Sequence, residues 1–470
     1  MPCLPRLRSG LAGMPLIVPI VILLFSNPAA RAEAPPATAA EEPSQVDALR
    51  REIAALREEY LARVQALEEK LTRLAESAAV PVAAPPIPVP PAPLSIVSGA
   101  GGKNFLNLSL DGLIAGGAST GADVSALQTG GHDPAQRGFT VQNVEAVFEG
   151  AVDPYFRGQA NVILQISPEG ETVVELEEAF ATSTSLPKGL QLKVGQFLTE
   201  FGRLNPSHPH AWDFVDQPLV NGRFFGPDGL RSVGTRLSWL MPTDFFSEAM
   251  ITIQNSGGET LSSFRSLPGE SLFGREIVER SVSSASDLLV VPRYAASFDL
   301  SDTQTLLFGA SAALGPNGTG PSGKTRIYGI DGFWKWKPIN AFRGFPFVKV
   351  QGELMRRDVS VAAGQALELP ARKFDDWGGY LQLNWGYKAG HVVGLRVDRV
   401  GGDVGELGDP EDHGLAGRLR ISPVLTWFPT EYSKLRLQYN FDRGDAFERD
   451  EHSIWLQLEF LLGAHAAHKF

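Results

Sequence analysis

The chain predicts an all-β fold, a transmembrane antiparallel β-barrel of about sixteen strands preceded by a short coiled-coil helix. Three observations carry that expectation. The run from Ile454 to Phe460 alternates strictly: Ile454, Leu456, Leu458 and Phe460 share one face, and Trp455, Gln457 and Glu459 the other. That period of two suits a strand between lipid and a polar lumen. Connections between such runs alternate between tight turns and long loops. Beyond the first 32 residues no apolar stretch of about 20 residues exists, which excludes helical spans but not strands.

The amino end reads as a secretory leader over residues 1–32. Arg6 and Arg8 precede an apolar stretch from Leu11 to Phe25, and Ala30-Arg31-Ala32 offers small residues for cleavage. Cleavage would remove Cys3, the only cysteine, leaving neither disulfide nor thiolate ligand. It would also remove Arg6, Arg8 and Arg31, leaving 39 basic against 53 acidic residues and moving the net charge from −11 to −14. So acidic a chain argues against a nucleic-acid partner.

Residues 44–77 predict one amphipathic helix, opened by a capping-box-like Ser44 and Asp47. Its seam is Val46, Leu49, Ile53, Leu56, Tyr60, Val64, Leu67, Leu71 and Leu74, in steps of three and four with one stutter. A seam this narrow is marginal alone in water, so partner helices are expected. Residues 78–100 form a linker whose Pro-rich core, 80–94, favours an extended tether.

Residues 101–470 form the predicted barrel, with strands near 104–117, 138–150, 155–166, 171–184, 189–197, 231–240, 245–255, 290–300, 303–313, 324–337, 346–357, 375–387, 391–400, 414–427, 432–441 and 452–462. Tight turns such as Val152-Asp153-Pro154 and Met241-Pro242-Thr243-Asp244 alternate with long segments such as 118–137, 198–230 and 256–289. Outer-membrane barrels carry short periplasmic turns and long external loops. Aromatics gather at the short turns: Trp239, Phe245 and Phe246; Phe333, Trp334 and Trp336; Trp385 and Tyr387; Trp427, Phe428 and Tyr432. They predict an interfacial girdle.

An Arg or Lys on the lipid face costs about 2–4 kcal/mol at the bilayer midplane, so strand parity assigns charged residues to the lumen. The expected pore-lining set is Lys193, Arg203, Arg223, Arg236, Lys349, Arg396, Arg418, Arg420, Lys434 and Arg436, with Glu145, Glu175 and Glu177. Five of these, Arg396, Arg418, Arg420, Lys434 and Arg436, form a basic wall that would favour anions. Segment 198–230, rich in aromatics, is the expected constriction loop. Within it His208, His210, Asp213 and Asp216 form a candidate metal set, since imidazole and carboxylate suit zinc and similar ions. His465 and His468 lie at the opposite end. There is no HExxH, and the scattered Ser, His and Asp give no enzymatic constellation, so neither an enzyme nor a cofactor is expected.

A terminal aromatic, Phe470, after an amphipathic strand resembles the C-terminal signal of outer-membrane barrels. Together with the leader, heptad helix, linker and the stretch Lys193-Val194-Gly195-Gln196-Phe197 followed by Phe201-Gly202, it resembles the phosphate-selective porin (O and P type) superfamily. That resemblance implies a trimeric sixteen-stranded porin in the bacterial outer membrane passing small, anionic solutes, with the helix in the periplasm. Segment 201–231 also resembles outer-membrane proteins labelled zinc-regulated TonB-dependent receptors, although about 22 strands and a plug would exceed this chain's length. The expected partners are outer-membrane lipid, two further copies and small-molecule solutes. The alternatives are a tether joining the membrane to peptidoglycan or a periplasmic partner through the coiled coil, and metal-ion uptake through the His-rich loop.

Overall fold

The computed structural model describes residues 94–98, 105–151, 153–167, 169–364, 368–402 and 415–463, with Ala55, Glu58, Ala62, Arg63, Gln65 and Glu69. Those last six are helical and exposed. The leader, the seam, most of the linker, His465, His468 and Phe470 lie outside the described residues.

Sixteen strands close into one antiparallel barrel. In chain order they are β1 (Phe105–Ser119), β2 (Gly138–Ala151), β3 (Phe156–Ile166), β4 (Thr172–Ser183), β5 (Leu190–Leu198), β6 (Arg231–Leu240), β7 (Phe246–Asn255) and β8 (Leu288–Ser301). They continue as β9 (Gln304–Pro316), β10 (Lys324–Trp336), β11 (Phe347–Val361), β12 (Arg372–Lys388), β13 (His391–Gly402), β14 (Arg418–Thr430), β15 (Ser433–Gly444) and β16 (Glu451–Leu462). Each pairs with its sequence neighbour, and β16 closes on β1 from Ser453↔Ser119 to Leu462↔Leu110. Closure pairs each of these sixteen strands on both sides. Leu94–Ser98 pairs with β1 at 105–108, beyond the point where β16 ends.

The predicted strands are all present. The eleventh runs on to Val361 because its ladder with β12 continues to Val361↔Arg372, and the fourteenth starts at Arg418 rather than 414. The exterior is apolar: Leu237, Ile251, Ile330, Leu354, Leu381, Leu395, Leu437 and Leu456 are all exposed. Their sequence neighbours Arg236, Thr252, Asp331, Glu353, Gln382, Arg396, Gln438 and Gln457 are buried. This inversion of the soluble pattern is what a lipid solvent requires. Trp239, Phe245, Trp385, Tyr387, Trp427 and Phe428 are exposed at the short-turn end as expected. Phe333 departs from the girdle: it lines the interior beneath Arg203, whose guanidinium stands 4.1 Å from the ring centre.

The loops between β1 and β2, β5 and β6, and β7 and β8 turn inward from the long-loop end. The middle one, 199–230, carries a 3-10 turn (Pro209–Ala211) and a short helix, α1 (Leu219–Phe225). Phe201, Leu204, Leu219, Val220, Phe224 and Phe225 pack with Leu261 and Phe264 of the third loop. Wall residues Leu289, Ile327, Met355 and Val400 complete this core inside the barrel. Phe201, Phe224 and Phe264 have no exposed surface.

Candidate functional site

Loop 199–230 is held by two different walls. Along β13 to β15, Asp216 is the hub. Its Oδ1 receives Arg396 Nη2 at 2.6 Å and Gln438 Nε2 at 2.7 Å, and its Oδ2 receives Arg420 Nη1 at 2.9 Å and Asn440 Nδ2 at 2.6 Å. The remaining guanidinium edges are taken by Asp398 and Asp442. Lys434 donates to the carbonyl of His210 at 2.8 Å and Arg436 to that of Phe214 at 3.1 Å. Burial disfavours the Asp216 carboxylate, but the charges of Arg396 and Arg420 outweigh it and hold the group below the usual carboxylate range. In the first loop, Asp133 accepts from Gln217 N at 2.8 Å, and burial together with the charge of Asp216 pushes it up to about 7.

This geometry corrects the expected basic wall. Arg396, Arg420 and Arg436 each have about 1% or less of their surface exposed. Arg418 and Lys434 are also covered, by the first loop and by His210 respectively. Parity points all five inward, but they grip loops rather than face a channel. The reason is electrostatic: buried cations require partners, and the loop supplies a carboxylate and a row of carbonyls.

The opposite wall is acidic. Glu145 of β2 and Glu177 of β4 point inward as expected, and both are buried. Glu178 joins them. β4 bulges against β3, where Asn161 faces Glu178 but the next residue, Val162, faces Leu176. The extra residue turns two consecutive glutamates to one side. Asn161 Nδ2 donates to Glu145 Oε1 at 2.5 Å. His208 and His210 stand over this trio with stacked rings 5.7 Å apart and 4° from parallel. His208 Nε2 is 2.9 Å from Glu178 Oε2, and its Nδ1 is 2.8 Å from Glu177 Oε2 and 3.4 Å from Glu145 Oε1. His210 Nδ1 is 3.0 Å from Glu145 Oε2. Burial would lower the His208 imidazole, but the charges of Glu145 and Glu177 override it and raise it well above the usual range.

The candidate metal set is thereby altered. His208 and His210 come together, but Asp213 turns away to Lys349 at 2.5 Å and Gln382 at 3.0 Å, and Asp216 belongs to the arginine clamp. The carboxylates facing the histidines come from the wall. Parity missed Glu178 because it assumes an unbroken ladder. The signal was present nonetheless, since two adjacent glutamates in a lipid-facing strand force either a bulge or a charge into lipid.

Below the loop, toward the short turns, lies a cavity of about 1430 Å³. Lys193, Arg203, Arg236 and Lys349 line it, with Arg157, Arg293 and Lys335. Six acidic residues answer these seven basic ones: Glu149, Asp153, Glu178, Glu200, Asp213 and Glu248. Several are paired, as Arg157 with Glu149 at 3.2 Å, Arg236 with Glu200, and Lys349 with Asp213. Arg223 instead borders a smaller recess of about 320 Å³ on the other side of the apolar core, next to Arg357. Glu175 leaves the lumenal group and pairs with Arg231.

A protein of Aquifex aeolicus (strain VF5), described as an uncharacterized protein, is 31% identical over 371 residues, 73% of each chain. This chain belongs to the same family. No family model matches the chain. The fold common to this family can be set beside solved barrels. The outer-membrane channel DcaP of Acinetobacter baumannii covers 78% of this chain with all of its own, at 11% identity and a TM-score of 0.49. An anion-selective porin from Comamonas acidovorans covers 76% with all of its own, at 9% identity and 0.48. OprB of Pseudomonas putida covers 77% with 94% of its own, at 11% identity and 0.46.

Proposed function

We propose that this protein is an outer-membrane porin for passive diffusion of small solutes, with loop 199–230 as its constriction and gate. The observation that carries this reading is a closed sixteen-stranded barrel, apolar outside, enclosing a charge-lined vestibule of about 1430 Å³. A sealed structural element has no need of such a vestibule. Lys193, Arg203 and Lys349 are the lumenal cations that a passing solute meets, while Arg236 is buried against Glu200 and Gln191. Lys335 and Lys349 sit opposite each other in register on β10 and β11, with Arg203 beside them, so a basic patch biases one wall toward anions. With seven cations nearly balanced by six acids, the preference is modest, and strict phosphate selectivity is not part of the proposal.

A second reading has its own observation. The apolar core of loop 199–230 lies between the vestibule and the outer recess. A barrel sealed there would serve as an envelope tether through residues 44–77. Single-channel recording on the mature chain in a planar bilayer separates the two. The porin reading expects small ohmic steps with brief closures, and a reversal potential slightly toward the anion side under a salt gradient. A folded, inserted barrel that carries no current, even when the loop is loosened, would favour the tether.

A further inference from the structure

We propose that His208, Glu145 and Glu177 form a binding site for one divalent transition-metal ion of the zinc type, which would tie the inward loop to the barrel wall. The ligand types suit a borderline metal, one imidazole and two carboxylates with a fourth position open, and the two carboxylates match the charge of a dication. The spacing is that of a coordination shell. Ligands held about 2.0–2.1 Å from one tetrahedral ion stand about 3.3 Å from each other. Here His208 Nδ1 stands 2.8 Å from Glu177 Oε2 and 3.4 Å from Glu145 Oε1. One ligand atom from each of Glu145, Glu177 and His208 falls within 4.8 Å of the others.

Orientation provides an independent observation. His208 Nδ1 and Glu177 Oε2 are buried and close, yet neither makes a hydrogen bond of proper geometry. The far nitrogen of the same ring is held by Glu178 at 2.9 Å, the carboxylate–histidine arrangement that fixes a metal-bound imidazole and leaves its other nitrogen free to ligate. Asn161 similarly fixes Glu145. The bulge that brings Glu178 inward therefore supplies the orienting group. Access comes from below, since His208 and Glu178 both border the vestibule.

The site differs from the arginine clamp in what it does to the loop. Asp216 fastens the loop to β13–β15 permanently, whereas a metal would fasten it to β2 and β4 only when bound. This role in holding the loop rests on the porin reading; metal binding itself does not.

The test uses the full mature chain in detergent, stripped with EDTA and dialysed against Zn2+. We expect one zinc per chain, and X-ray absorption fine structure showing imidazole scattering at about 2.0 Å. His208→Gln should abolish stoichiometric binding, and Glu178→Gln should weaken it 10- to 100-fold as an orienting residue. Asp213→Asn should leave it unchanged. No stoichiometric zinc, or an oxygen-only shell, would overturn the site, as would Asp213→Asn weakening binding as much as His208→Gln. The absorption measurement needs no variant, so misfolding of a variant cannot rescue the idea. Binding is read without current, so the site and the porin reading can fail separately.

Discussion

Asp216 takes four side-chain hydrogen bonds from four wall residues, all buried. Replacing it by Ala strands Arg396 and Arg420 with fewer partners, and breaking a buried pair costs about 3–5 kcal/mol. Asp398 and Asp442 remain, so the lower end is expected, read as a drop in the denaturant midpoint. The pH response has two opposed parts. Asp133, raised by burial and by Asp216, takes up its proton as pH falls through about 7, whereas the unfolded chain does so only near the ordinary value of 3.8. Between these values the folded state binds more protons, so acidification stabilises it. Asp216 is lowered, so its contribution is present above the unfolded value and is lost as pH falls through its folded value. Loop stability should thus rise from pH 8 to about 4 and collapse below about 4. Fluorescence of Trp212, which packs on the loop's core, would report it. Monotonic loss from pH 8 downward would contradict this account.

At the scale of elements, α1 docks because the wall is hollowed for it. A Cβ added to Gly378 would lie 2.7 Å from Cγ2 of Val220, and one added to Gly329 would lie 2.7 Å from Cε1 of Phe201. Gly378→Val should push α1 off β12 at a cost of about 1–3 kcal/mol. If the loop is the constriction, mean conductance should rise; unchanged current from a correctly folded variant would remove the loop from that role. The strands themselves were readable from residues because a lipid face and a polar lumen write opposite chemistries onto alternate positions. The aromatic content of 198–230 likewise announced a packed segment. Its partners were not readable: Asp216 meets Arg420 across 204 residues, and no local pattern encodes that meeting. The bulge in β4 escaped for a related reason. Register is a property of two strands, and parity is counted along one.

At the scale of the molecule, the membrane barrel and a buried loop domain share one chain. The helix predicted over 44–77 needs partners, and we expect the mature protein to run as a trimer that dissociates, or associates more weakly, when residues 44–77 are deleted. Native mass measurement in detergent would decide it; an unchanged mass would assign any association to the barrel walls. The outward residues are mainly apolar around the ring, with charges such as Arg356 and Asp375 near the long-loop ends of β11 and β12.

The filled interior also constrains how the protein is built. Loop 199–230 touches wall residues from Glu145 on β2 to Gln438 on β15, nearly the whole circumference. Its final seat therefore does not exist until most strands are in place. Nor can it enter sideways once β16 has zipped onto β1, because the ladder leaves no gap. It enters through the open long-loop end instead, and once seated it braces the closed seam from within, reaching β2 on one side and β15 on the other.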